Sequence, residues 1–206
     1  MSISERPRIT IVTPNFNNGD TLERTLRSVL TQEYPNLEYI VVDGGSADDS
    51  LTIIENYQDQ LAWWVSEQDS GQSDAINKGM ARATGDVVNW LCSDDELTPG
   101  ALEVVGRAFA QDPQADVVAG KTHRKYVNES KPDVIRGPSS EDLDWLPYCN
   151  QIEQPSCFFR KGLVSDPLLD TSLHYTMDQD LWCRLAAPGI EWRFMDHVLS
   201  IYWFSE

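Results

Sequence analysis

Acidic residues in this sequence cluster where apolar runs end, and that is where chemistry could be carried. Ser93-Asp94-Asp95 follows the apolar run DVVNWLC at 86–92. A hard divalent cation can take carboxylate oxygens there and keep open positions for phosphate oxygens. The same triplet also suits a helix N-terminus, because Ser and Asp side chains accept hydrogen bonds from first-turn amides. The D-x-D spacing recurs at Asp142/Asp144 and Asp178/Asp180, so pattern alone does not single out a site. Asp178 and Asp180 lie two residues apart on a predicted helix and point to different faces. Only one of them can face a shared pocket, and the spacing does not say which.

A second stretch, EQDSGQSDAINKG at 67–79, is dense in Gln, Ser and Asn. Those side chains offer donors and acceptors suited to a nucleobase or ribose. Within it, Asp74 and Lys78 have the i, i+4 spacing of a surface ion pair, worth only about 0.3–0.5 kcal/mol.

The elements that must position these residues alternate in period. Arg8–Thr13, Tyr39–Val42, Leu61–Val65, Asp86–Cys92 and Ala115–Ala119 read as strands. Between them, helical spacing is found for Leu22, Leu26, Val29 and Leu30 after Asp20 or Thr21. It recurs at 47–58 with Leu51, Ile54 and Tyr57 on one face, and at 73–83. A further helix follows Thr98 as cap, with Pro99 in its first turn, and runs to about Ala110. Such alternation predicts a mostly parallel sheet with right-handed crossovers and ligands at the carboxyl ends of the strands. After Gly120 the pattern changes: a ribbon or loop at 123–136, a short turn or helix at 139–145, a strand at 157–160, a helix at 178–186, and one or two strands at 192–203.

Absent motifs remove several α/β chemistries. PNFNNG follows the first strand in place of G-x-G-x-x-G, and neither a P-loop nor a G-x-S-x-G elbow occurs. The three histidines, His123, His174 and His197, have no zinc-ligand spacing, although His197 could reach a metal if its strand turns back over the pocket. Hydrophobic residues at 41% and charged residues at 24% exclude wholesale disorder. With 33 acidic against 16 basic residues the net charge is −17, which lacks the basic footprint of a nucleic-acid binder. The polar start has no signal-peptide core and no run is long enough to span a bilayer, so the expected location is cytoplasmic. Cys92, Cys149, Cys157 and Cys183 form no C-x-x-C pair and are expected to be reduced, with Cys92 in the core. The glycosylation-like triplet Asn128-Glu129-Ser130 means nothing without secretion.

The segments TPNFNNGDTLERTLRSVL, YIVVDGGSADDS, EQDSGQSDAINKG, GDVVNWLCSDD, QPSCFFR and MDQDLW, in that order, resemble the inverting family-2 glycosyltransferases of the GT-A fold. The resemblance covers about residues 8–196. It implies a Rossmann-like, mostly parallel central sheet flanked by helices, with a smaller mixed sheet on the acceptor side. It implies one domain over 1–206, with 8–120 as the nucleotide-sugar half and 121–206 as the acceptor half. Thr13, Pro14 and Asn15 would line the nucleotide pocket, Asp43 would bond the base, and Asp69 and Lys78 would border base and ribose. Asp94 would lie near the ribose or the metal, and Asp95 on a Mn²⁺ or Mg²⁺ that also holds the diphosphate. Asp178 inherits the general-base role; where the family has a Glu before it, this chain has Met177. Gln154-Pro155-Ser156 would shape the acceptor side.

The implied partners are a nucleotide-sugar donor, by default a UDP-sugar, and a glycan or lipid-linked saccharide acceptor met at most peripherally at the inner face of the membrane. Trp63, Trp64, Trp90 and Trp192 are expected in the core, whereas Trp145, Tyr148 and Trp182 could stack on a sugar. A phosphoacceptor receiver would leave the second half unexplained, and a nucleotidyltransferase would need a Gly-rich basic loop after the first strand. The remaining alternative is a non-catalytic nucleotide-sugar-binding remnant of the same fold. The aromatic run at 201–204 suits a buried strand better than a chain end. Either the chain is a minimal catalytic domain or C-terminal material is missing, and a partner chain, such as a second copy in a homo-oligomer, could cover the aromatics.

Overall fold

A computed structural model describes residues 6–127 and 131–204; Asn128-Glu129-Ser130 lies outside them. Four parallel strands carry the first half: β1 (Ile9–Asn15), β2 (Leu37–Asp43), β3 (Trp63–Ser66) and β4 (Val87–Trp90), in the order β3-β2-β1-β4. Parallel strands are covered on both faces and so read as continuous apolar runs. Side-chain alternation sorts each run between two cores. Val12, Ile40 and Val42 face one layer, with Ile76 and Met80 of α3 (Gln72–Arg82) and Leu181 and Trp182 of α6 (Met177–Leu185). Ile11, Tyr39 and Val41 face the other, with α1 (Gly19–Leu30), α2 (Ser50–Tyr57) and α4 (Ala101–Gln111). The α3–β1 approach is close enough that a Cβ at Gly79 would lie 2.3 Å from a Val12 methyl.

The second half continues the same sheet. β8 (Cys157–Arg160) runs antiparallel on β4, β6 (Val117–Tyr126) antiparallel on β8, and β9 (Trp192–Phe204) parallel to β6. Two short strands complete it, β5 (Glu96–Leu97) on β9 and β7 (Val134–Arg136) on β6, so 122–124 and 134–136 pair as a ribbon, and the short helix α5 (Ser140–Trp145) follows. The aromatic end of β9 is paired along β6, with Tyr126 stacked on Phe204 at 5.3 Å and Arg24 over the Trp203 ring at 4.4 Å.

Three local expectations are corrected. Thr98 does not cap α4: its amide donates to the Leu199 carbonyl at 2.9 Å and its hydroxyl to the Val198 carbonyl at 2.6 Å, which tie it to β9, and Gly100, at φ 80°, precedes the helix. α2 starts at Ser50, later than expected, because Asp48 accepts from the amides of Gly19 and Ser50, and Leu51 turns to solvent while Ile54 is buried. Trp182 is core and unavailable to a sugar: it is fully buried and stacks on Trp90 at 5.9 Å. Trp90 and Trp192 are buried as expected, and Trp63 and Trp64 are partly so.

Trp182→Ala should lower unfolding free energy by about 3–5 kcal/mol. Trp145→Ala, at a position 61% exposed, should change it by no more than about 0.5 kcal/mol. Urea denaturation followed by circular dichroism distinguishes the two, and equal losses would contradict this packing.

Candidate functional site

β1 has β2 on one side and β4 on the other, which makes the β1/β4 boundary the switch point of the parallel half. A crevice is expected outside the carboxyl ends of strands at such a point. A cavity of about 670 Å³ opens there, lined by Pro14 and Asn15 at the end of β1 and Phe16 just beyond it, Asp69 before α3, and Cys92 and Asp94 after β4. That volume suits a nucleotide-sized ligand.

Of the residues the sequence offered for a nucleotide pocket, Pro14, Asn15, Asp69 and Asp94 line this cavity. Thr13, Asp43 and Lys78 do not line this cavity. Thr13 is buried and its hydroxyl is paired with the Tyr39 hydroxyl at 2.9 Å. Lys78 faces outward, in ion pairs with Glu67 at 3.1 Å and Asp74 at 3.5 Å. Asp43 is fully buried below the floor, where it accepts from Asn15 Nδ2, the Ser46 and Ser66 hydroxyls, and the Gly45 and Ser46 amides. Burial alone would raise its pKa, but the Ser46, Ser66 and Asn15 hydrogen bonds outweigh it and hold the carboxyl below its ordinary range. Because a carboxylate can only accept, Asn15 must turn its NH₂ toward Asp43. Its Oδ1 is then left buried without a hydrogen-bond partner, as an acceptor for a ligand N–H. A Cβ at Gly44, beside it, would lie 2.7 Å from Asp69 Oδ2 and would displace that carboxylate.

The acidic triplet is held by its backbone. Asn18, Thr21, Arg24 and Thr25, along one side of α1 and its N-terminus, grip it. Thr21 donates to the carbonyl of Ser93, Arg24 to that of Asp94 and Thr25 to that of Asp95, at 2.7–3.0 Å, and Asn18 donates to the Ser93 hydroxyl. The carboxylates themselves are left unengaged. Asp94 is exposed at the larger cavity, while Asp95 is completely buried, and neither of its oxygens has a hydrogen-bond partner. Burial, then repulsion from Asp94, push the Asp95 pKa well above the usual carboxylate range; the Trp203 amide, which faces the carboxylate without reaching hydrogen-bond geometry, and Arg24 offset this only in part. Burial likewise raises Asp94.

Asp95 lines a second cavity, of about 310 Å³, that also contains Asp178, His174, Glu153, Arg124 and Tyr202. Gln72 and Cys92 line both cavities, so the two meet at these side chains. Of the two acids on α6, Asp178 faces this cavity and Asp180 turns away into an ion pair with Arg184 at 3.0 Å. Asp178 accepts from Asn150 Nδ2 and from the Gln179 amide, both at 2.8 Å, and burial raises its pKa despite those bonds. Gln154 donates to the Asn89 side chain and the Trp90 carbonyl, which fixes the Gln154–Ser156 turn against β4.

Several functional candidates escaped sequence reasoning. Cys92 packs against the core without being enclosed in it: β4 ends at Trp90, and the Cys92 sulfur, partly buried, lies with one oxygen each of Asp94 and Asp95 in a group whose atoms are all within 4.8 Å of one another. A buried carboxylate without a hydrogen-bond partner and a second carboxylate beside it fit a divalent cation, which needs such oxygens. His174, Glu153, Arg124 and Tyr202 come from four separate segments, and no local motif ties them together. His197 is exposed and lines neither cavity; the same holds for Trp145 and Tyr148, which contact each other edge to face at 6.2 Å.

A family model described as glycosyl transferase family 2 matches residues 10–166. An uncharacterized glycosyltransferase of Mycobacterium tuberculosis (strain ATCC 25618 / H37Rv) is 39% identical over 166 residues, which is 79% of this chain and 62% of that protein. The chain therefore spans less than two thirds of that relative's length. Among solved structures, S. aureus TarS 1-349 in complex with UDP matches with TM-score 0.74 and 23% identity, over 96% of this chain and 61% of that one. The mannosyltransferase PcManGT from Pyrobaculum calidifontis, in complex with GDP-Man and Mn²⁺, matches with TM-score 0.71 and 19% identity, over 97% and 58%. The fold is that of the GT-A glycosyltransferases. The chain belongs to glycosyl transferase family 2.

An acid raised by folding binds its proton more tightly in the folded than in the unfolded state. Stability therefore falls as pH climbs from the unfolded value, about 3.9, through the raised one. Asp95→Asn removes that contribution, so its melting temperature should fall less than the parent's between acid and neutral pH, and the variant should be the more stable at neutral pH without divalent cations. Parallel pH profiles for the two proteins would contradict the burial described.

Proposed function

We propose that this chain moves a glycosyl group from a nucleotide-sugar donor, by default a UDP-sugar, to a hydroxyl of a glycan or lipid-linked saccharide. The reaction is a single inverting displacement on the cytoplasmic side, with at most peripheral membrane contact. One observation carries the reading: two cavities meet at Gln72 and Cys92, with a nucleotide-sized space on one side and a carboxylate of raised pKa, Asp178, on the other. That layout separates a donor from an acceptor across a shared wall. The UDP bound to TarS and the GDP-Man bound to PcManGT favour a nucleoside-diphosphate sugar for the larger cavity.

Each residue then has a task. Asn15 Oδ1 accepts from the base, held for that purpose by Asp43, while Asp69 borders the ribose from across Gly44. Thr13 and Lys78 support the pocket from beneath and from outside. Asp178 takes the proton of the acceptor hydroxyl, and the freed oxygen attacks the anomeric carbon as its bond to the diphosphate breaks. Asn150 and the Gln179 amide fix the Asp178 carboxylate in orientation. The raised pKa makes Asp178 a stronger base than an ordinary carboxylate. Charge sets the remaining requirement. Two like charges about 5 Å apart repel by roughly 3 kcal/mol at an effective dielectric of about 20, so Asp94 and Asp95 oppose a diphosphate unless a cation lies between. A Mn²⁺ or Mg²⁺ held by Asp95 and Asp94 would supply that positive charge and stabilise the departing diphosphate.

Asp178→Asn should reduce transfer by about 10²–10⁴-fold and leave nucleotide affinity unchanged. Product formation and nucleotide-induced thermal shifts, measured over a panel of nucleotide sugars with and without Mn²⁺, check both. Loss of nucleotide affinity would move Asp178 to the donor site, and binding without any transfer by the parent protein would favour a non-catalytic remnant.

A further inference from the structure

The wall between the two cavities is made in part by a sulfur. Cys92 Sγ lies within 4.8 Å of a carboxylate oxygen of Asp94 and one of Asp95. That span is little more than twice a metal–ligand bond of about 2.0–2.3 Å. Gln72 Nε2 donates to this sulfur at 3.1 Å, which holds it between the cavities as an electron-pair donor. The independent sign of a missing ligand is Asp95, fully buried, aimed into the second cavity, with both oxygens lacking a partner. The other cysteines have no such setting. Cys157 is buried in the core and Cys149 and Cys183 are exposed, and none of them belongs to an acidic cluster among the described residues.

We propose that Cys92 is a third ligand beside Asp94 and Asp95, and that its sulfur makes this site favour thiophilic divalent cations of the Co²⁺, Zn²⁺ and Cd²⁺ class over Mg²⁺. The inference rests on the reading of Asp94 and Asp95 as cation ligands. Thiolate is a soft donor that strengthens binding of these ions, whereas Mg²⁺ prefers an all-oxygen shell and gains nothing from it. Binding converts the Cys92 thiol to a thiolate and releases its proton to solvent, and no electron changes hands. Gln72 acts on the cation only through the sulfur it orients.

The test is Co²⁺ titration of the full chain carrying Cys149→Ser and Cys183→Ser, which removes the exposed thiols. A near-ultraviolet sulfur-to-cobalt charge-transfer band should grow together with the visible ligand-field bands. Adding Cys92→Ser should abolish the charge-transfer band and keep the ligand-field bands. It should also weaken Cd²⁺ binding, measured by calorimetry, by at least about tenfold, with Mg²⁺ affinity unchanged. Ligand-field bands without a charge-transfer band in the parent, or a charge-transfer band that survives Cys92→Ser, would overturn the role of Cys92 and leave the carboxylate site standing. Co²⁺ binding that is absent, or unaffected by Asp95→Asn, would overturn the carboxylate site as well.

Discussion

A carboxylate removed from water needs hydrogen bonds, a proton or a cation, and Asp95 has no hydrogen bond. The chain does not relieve it by rearrangement, because its neighbours are fixed in place. Carbonyls 93–95 are held by three α1 side chains, Arg24 is shared with Glu96 and Trp203, and β5 ties the next residues into the sheet. An acid placed this way makes the empty protein less stable, and a cation held there as proposed would recover that free energy and so couple its own binding to that of a diphosphate.

The three-layer architecture explains why that side chain stands where it does. Parallel strands β1 and β4 deliver their following loops to one edge of the sheet, and α1 clamps those loops together. α6 buries Met177, Leu181, Trp182 and Leu185 along one face against the opposite layer. That burial fixes the rotation of the helix, which turns Asp178 to the cavity and Asp180 to solvent. The stacked Trp90 and Trp182 rings join the strand before the acidic triplet to the helix bearing Asp178. Core packing therefore sets the separation between the proposed metal ligands and the proposed base, which are over eighty residues apart in sequence.

Much of this was legible from the residues. The apolar runs of β1, β2 and β4 are continuous because both faces are covered, and the acidic or polar residues that follow them mark the crevice. The direction of individual side chains was less so. Thr13 and Asp43 sit in stretches that touch the cavity, but strand alternation sends the first to Tyr39, and a net of short-range hydrogen bonds draws the second below the floor. Lys78 was expected both to border the ribose and to pair with Asp74, and the nearby Glu67 and Asp74 carboxylates hold it outside. Cys92 was read as core because it extends an apolar run, yet the strand ends two residues earlier. Thr98 has the composition of a cap, but long-range pairing with β9 overrides it. His174, Arg124 and Tyr202 reach the second cavity from distant segments, which no local spacing could reveal.

The most direct measurement is anomalous diffraction at the manganese edge from crystals of the chain soaked with Mn²⁺ and a nucleoside diphosphate. The expected result is a single Mn²⁺ bonded to an Asp95 oxygen and to the diphosphate, with the nucleoside in the cavity lined by Asn15 and Asp69. A bound diphosphate with no ion at Asp95, or an ion held elsewhere while both Asp95 oxygens stay without a ligand, would contradict the account.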